Sequence, residues 1–211
     1  MRNPLFILFL FCFQLSYAHD RVGVFENHAD IGSPKLPGSA AFIEPEQSYI
    51  LKGSGYNIWF ERDEFHFAYN KIKGDFILTA NFEFIGNGSN AHRKIGWMVR
   101  ESTDKAAAHI SAVAHGDGLT VMQWRVLRGA FMRDPEDEIF SSMKNVQVIQ
   151  LERSGKKFTM RVALAGEPLQ IVGIHEMEWL RDEVLAGLFI CSHKEDVVEQ
   201  ARVWNVKIEK P

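Results

Sequence analysis

Cysteine is almost missing from this 211-residue chain, which holds only Cys12 and Cys191. Cys12 lies in an apolar N-terminal run, so one thiol remains for the folded part. That excludes an intramolecular disulfide framework, a zinc ribbon and a CxxC redox site. No cluster of Lys and Arg occurs either: 24 basic residues face 27 acidic ones, for a net charge of -3. A chain so balanced is not built to neutralise phosphates, and nucleic acid is not expected as a partner. Proline is scarce at 7 residues, and no Pro-rich linker, low-complexity stretch or internal repeat divides the chain beyond position 20. Also missing are a Gly-rich phosphate loop, a Gly-x-Ser-x-Gly elbow, HxH or HExxH metal spacing and an amphipathic membrane-surface helix.

What is present begins with a leader. Arg2 precedes an apolar run from Leu5 to Phe13, and Ser16 and Ala18 are the small residues of a cleavage site. Residues 1–18 therefore read as a signal peptide, too short for the roughly 20 apolar residues that cross a bilayer. Cleavage after Ala18 leaves a mature chain, 19–211, with 23 basic and 27 acidic residues, net -4. It is expected to be secreted or periplasmic, with no membrane insertion once the leader is gone. Cys191, inside Gly187-Leu-Phe-Ile-Cys191, is expected to be a buried, inert thiol.

Beyond position 20 the dominant period is two. Phe76, Leu78, Ala80, Phe82 and Phe84 alternate with more polar residues, as do Phe65, Phe67, Tyr69 and Phe158, Met160, Val162, Leu164, which predicts strands with one strongly apolar face. Further strands are predicted at 95–100, 108–114, 119–127, 146–152, 169–174, 184–191 and 201–208. Asp117-Gly118 suits a type I′ hairpin turn, and Ser154-Gly155-Lys156 joins another pair. Only 135–142 and 176–183 could hold a helical turn. About a dozen strands and almost no helix predict one all-β domain over 19–211, an antiparallel two-sheet β-sandwich.

The succession Asn57-Ile-Trp-Phe60, Arg62-Asp-Glu-Phe-His-Phe67, Gly74-Asp-Phe-Ile-Leu-Thr-Ala80, Gly96-Trp-Met-Val-Arg100, His115-Gly-Asp-Gly-Leu119, Gln150-Leu-Glu-Arg153 and Gly187-Leu-Phe-Ile-Cys191 resembles the DUF1349-like branch of the concanavalin A-like lectin/glucanase superfamily. It is most similar to the domain that precedes a TolB-type β-propeller in some secreted bacterial proteins, and the likeness covers about residues 21–208. The resemblance implies a jelly roll whose concave face or rim loops take saccharides in many relatives. It does not imply catalysis, because the fold hosts lectins, binding modules, glycosidases and lyases alike.

Strand alternation places polar side chains on a shared face. His109, Ser111 and His115 point opposite to Ile110, Ala112 and Ala114, and Gln123 and Arg125 point opposite to Met122 and Trp124. Arg100 extends this set to the preceding strand, and Glu64 with His66 to an earlier one. Trp59 and Trp97 are stacking candidates, core being the plainer reading of each, and His193 borders the same region. The expected ligand-binding set is Trp59, Glu64, His66, Arg100, His109, His115, Gln123, Arg125 and His193. It suits a polyhydroxylated or anionic oligosaccharide or polysaccharide. The acids Glu61, Asp63 and Glu64 lack the spacing of a sandwich-glycosidase triad. The first reading is thus a carbohydrate-binding module without cofactor. A glycoside hydrolase or polysaccharide lyase on the same face is the alternative, with His66, Arg100, His115 and Glu64 as its catalytic candidates. A cell-envelope protein-interaction module is a third reading. Of metals, a structural Ca²⁺ on loop oxygens such as those of Asp30 is favoured over a site of His66, His109 and His115, which would have to converge from different strands.

Overall fold

A computed structural model describes residues 21–211; the leader and the cleavage point after Ala18 lie outside the described residues. The strands are β1 (Asn27–Ile31), β2 (Ser39–Ile43), β3 (Ser48–Gly55), β4 (Ile58–Trp59), β5 (Arg62–Asp63), β6 (Phe65–Lys73), β7 (Phe76–Ile85) and β8 (Lys94–Arg100). They continue with β9 (His109–His115), β10 (Thr120–Arg125), β11 (Glu138–Phe140), β12 (Val148–Ser154), β13 (Lys157–Ala163), β14 (Gln170–Glu176), β15 (Glu183–Cys191) and β16 (Lys194–Glu209). Helix is limited, among the described residues, to one 3-10 turn at Glu44–Glu46, and no helix there is long and apolar enough to cross a membrane.

Two seven-stranded antiparallel sheets form the sandwich. The first runs β1-β6-β15-β8-β9-β10-β11 and the second β14-β13-β12-β7-β16-β3-β2; β4 and β5 form a separate hairpin. This is the all-β two-sheet sandwich that the alternation predicts, in the jelly-roll form that the resemblance implies. The Phe-rich strand β7 turns Phe76, Leu78, Ala80 and Phe82 into the space between the sheets, where they meet Trp97, Val99, Ile110, Met122 and Leu188. Trp97 is fully buried there, with its indole N–H donating to the Ile149 carbonyl at 3.1 Å, so it is a core residue and no stacking platform.

The central strands of the first sheet are buried on both faces. β8, β9 and β10 carry almost no exposed residue, a pattern more usual for a covered central sheet than for the edge of a sandwich. Its outer face holds a second apolar cluster, including Phe65, Phe67, Met98, Val113, Val121 and Phe189, under Ile58 of the β4–β5 hairpin. The hairpin is tied down through the backbone: Asp63 N–H donates to Lys105 O at 2.8 Å and Met132 N–H to Phe60 O at 3.0 Å.

The β9–β10 turn is a three-residue loop and not type I′: only Gly118 has positive φ, at 84°, with its N–H bonded to His115 O, whereas type I′ needs two consecutive left-handed residues. The segment expected to hold a helical turn at 135–142 contains β11, whose Glu138 pairs with Gln123 of β10. Cys191 is buried, and burial pushes its thiol up to about 11.

Candidate functional site

Register decides which polar groups meet. Across the first sheet, Leu185 of β15 lies opposite Arg100, Arg100 opposite His109, and His109 opposite Arg125. Cys191, Lys94 and His115 form a parallel row six residues along β8, and Ser111, Gln123 and Glu138 a row between them. Because side chains alternate, these rows share the outer face.

The Arg100 row is a closed ion cluster. Arg125 grips Asp63 with both ends of its guanidinium, at 2.9 and 2.7 Å, and Arg100 Nη2 lies 3.3 Å from the same carboxylate. The guanidiniums also tie down loop carbonyls. Arg100 donates to Ser102 and Asp104, both at 2.6 Å, and Arg125 to Ala107 and Ala130, both at 3.2 Å. Burial pulls Arg100 down to about 10, Asp63 opposing the shift. His109, 3.9 Å from Asp63 at Nε2, has no hydrogen-bond partner on either ring nitrogen. Burial first, then the two arginines, hold its pKa well below the ordinary range. All four side chains are inaccessible to solvent. Arg100, His109 and Arg125 do share one face, as strand parity indicates, but the hairpin and the loops over residues 102–108 and 126–134 seal them from any saccharide.

Glu64 and His66 lie elsewhere. His66 shares its row with Ile190 and Ile95 of the inter-sheet core. Its Nδ1 donates to Asp30 Oδ1 at 2.7 Å and its Nε2 is 3.1 Å from His28 Nδ1. Glu64 accepts from the Tyr56 N–H at 3.1 Å and pairs with Arg62 at 2.8 Å. The outer-face positions of β6 belong instead to Phe65, Phe67 and Tyr69.

Four of the nine expected residues, Trp59, His115, Gln123 and His193, do converge on a cleft of about 310 Å³ at the Lys94 end of the sheet. Asn57, His92, Lys94, Leu119, Asp134, Glu138 and Phe140 complete its lining. Trp59, on the β4–β5 hairpin, and Phe140, on the edge strand β11, supply apolar surface. The His92 ring stands 5.8 Å from His115 and 5.5 Å from His193, centroid to centroid.

The electrostatics are unusual for so small a space. Lys94, only 4% exposed, donates to Asn57 Oδ1 at 3.2 Å, His92 O at 3.1 Å and His193 Nδ1 at 3.3 Å. An ammonium has only protons to give, so His193 accepts at Nδ1 and keeps its proton on Nε2. Burial, then Lys94, lowers His193 to about 4; burial, then Lys94 and the other two histidines, lowers His115 to about 2. Both rings are neutral at physiological pH. His115 has no partner on either nitrogen, and neither has Gln123 Oε1, whose amide nitrogen donates to Glu138 Oε2 at 3.3 Å. Burial first, and then the neighbouring Asp134 carboxyl, raise Glu138 against the pull of the Gln123 amide.

Among the described residues no group of three His, Cys, Asp or Glu converges as a metal cluster. The Asp30 carboxylate is engaged by His66 and by the Gly38 N–H, at 3.1 Å to each oxygen.

A fold of this kind is shared with solved structures at low identity. A functionally unknown protein from Saccharomyces cerevisiae is 13% identical with a TM-score of 0.66, covering 87% of this chain and 96% of that one. A GH43 protein from Bacillus licheniformis is 11% identical with a TM-score of 0.58, over 88% of this chain and 39% of its own. GH43B of a Bacteroides ovatus xyloglucan PUL is 12% identical with a TM-score of 0.51, over 76% of this chain and 32% of its own. The chain thus spans about a third of the length of the two GH43 proteins. Together they show that this two-sheet jelly-roll fold is one that solved proteins share. No family model and no curated protein matches the chain.

Proposed function

We propose that the chain is an exported carbohydrate-binding jelly roll of the DUF1349-like branch, which takes an oligosaccharide or polysaccharide in the Trp59–His115–Gln123–His193 cleft. The observation that carries this reading is the set of buried polar atoms lining that cleft without a protein partner: both ring nitrogens of His115 and Gln123 Oε1. A buried polar group without a partner costs roughly 1–3 kcal/mol, and a polyol can both donate to it and accept from it. Trp59 offers a ring face for the apolar side of a sugar. The GH43 likenesses support a saccharide context, although the activity of the whole GH43 proteins does not carry over.

The enzymatic alternative has one observation in its favour: the raised carboxyl of Glu138 in the same cleft as a neutral His115, a pairing suited to proton transfer. Calorimetry against a panel of plant, algal and host glycans tests the first reading. At least one glycan should bind, and Trp59→Ala and Gln123→Ala should each weaken binding by about tenfold or more. Absence of binding to the whole panel would end it. Product release from a bound glycan, lost in Glu138→Gln, would shift the reading to the enzyme.

A further inference from the structure

We infer that the saccharide of this cleft is acidic, and that its carboxylate supplies the missing counter-charge of Lys94. The inference rests on the proposed function and sharpens its ligand class. Lys94 sits on the floor of the cleft, 4% exposed, and its three protons meet a side-chain amide, a backbone carbonyl and an imidazole. Those dipoles solvate the ammonium without cancelling its charge. Among the described residues no carboxylate lies within 4.0 Å of it, whereas the neighbouring buried cation Arg93 is paired with Glu199 at 2.7 Å. A buried charge without a counter-ion is costly, and such charges are normally paired.

The groups around Lys94 reinforce the polarity. His92, His115 and His193 line the same cleft, and the Lys94 bond to Nδ1 leaves His193 an Nε2–H donor suited to a carboxylate oxygen. His193 is held at φ 58°, in the left-handed region, within the β15–β16 turn. A non-glycine residue there costs of order 1 kcal/mol or more, and such strain gathers at ligand sites. The acids facing the cleft are Asp134 and Glu138. Glu138 is engaged by the Gln123 amide at 3.3 Å. Neither closes on Lys94. A ligand carboxylate seated over Lys94 and His193 completes the pairing that the protein leaves open, and a neutral hexose cannot.

The test pairs oligogalacturonate, oligomannuronate, oligoguluronate and oligoglucuronate each with its carboxyl-reduced, neutral counterpart, measured by calorimetry on the whole protein. At least one acid should bind about tenfold or more tightly than its reduced partner. The preference should shrink as NaCl is raised, and it should vanish in Lys94→Met that retains the native near-UV circular dichroism. Equal affinity for an acid and its reduced form overturns the inference while the proposed function stands. So does an acid preference that is indifferent to salt, or one that survives in folded Lys94→Met. If Lys94→Met does not fold, the wild-type salt dependence decides. Binding of neither these nor the neutral glycans ends both proposals.

Discussion

Replacing Asp63 by Asn removes the one negative charge that two buried arginines share. The carboxylate accepts from Arg125 at 2.7 and 2.9 Å and lies 3.3 Å from Arg100 Nη2, with all three side chains sealed. Asn presents one acceptor oxygen and turns an N–H toward a guanidinium, so one bond of the bidentate pair is lost and two positive charges face each other uncompensated. Breaking a buried ion pair from one side costs about 3–5 kcal/mol. For a domain of this length each kcal/mol shifts Tm by about 2–4 °C, so a loss of roughly 6–20 °C is expected. Urea denaturation followed by tryptophan fluorescence reads this as a lower midpoint at unchanged slope. The same guanidiniums hold loop carbonyls of Ser102, Asp104, Ala107 and Ala130, so those segments should also lose amide-exchange protection. In an Arg125→Met background the same Asp63→Asn change should cost at least about 1 kcal/mol less, a coupling within the range seen for contacting residues. A cost below about 1 kcal/mol in the wild-type background, with unchanged protection of residues 102–108, would refute the claim that this cluster fastens the outer layer to the sheet.

Three further outcomes follow from the same structure. His109 and His115 are held neutral, with folded pKa values below the ordinary 6.5; the unfolded chain therefore binds more protons once the pH drops below 6.5, and stability should fall with acid. Each contributes a slope of about 1.4 kcal/mol per pH unit between pH 6 and 4, and His109→Gln should flatten the profile; a parallel curve would contradict it. Cys191, buried with a thiol near 11, should resist a thiol reagent in native protein and react fully in urea, and prompt native labelling would contradict that burial. Gly187 lies mid-sheet, where a Cβ would run into the Ala68 carbonyl. Gly187→Ala should destabilise by more than about 3 kcal/mol, whereas Gly173→Ala, which meets only the Ile139 side chain, should cost clearly less.

The sandwich was legible because a period of two survives in nearly every strand. Parity also grouped Arg100, His109, His115, Gln123 and Arg125 on one face, which the register bears out. What parity cannot show is a third layer. The β4–β5 hairpin and its neighbouring loops cover one end of that face, and Asp63, which looked like part of an incomplete acid set, is the counter-ion beneath them. Glu64 and His66 fall outside the shared face because the aromatic side of β6 is not the side that meets the inter-sheet core. In β6 the rings of Phe65 and Phe67 fill the outer cluster, and His66 takes the inner side. Lys94 was within reach: it has the parity of Gly96, Met98 and Arg100, one position before the predicted start of its strand. Glu138 was hidden because its short edge strand looked like a helical turn, and Asn57, His92 and Asp134 reach the cleft from loops that no periodicity describes.

Under the proposed function the ligand enters the Lys94 end of the sheet and reaches the unpartnered polar atoms there. The most direct measurement is a side-chain nitrogen–proton NMR spectrum of the histidine rings and glutamine amides, recorded while a bound glycan is titrated in. The expected result is selective shifts of His115, His193 and Gln123, with His109 and His66 unmoved. Shifts centred on His66, or none at His115 while the glycan is bound, would contradict the account.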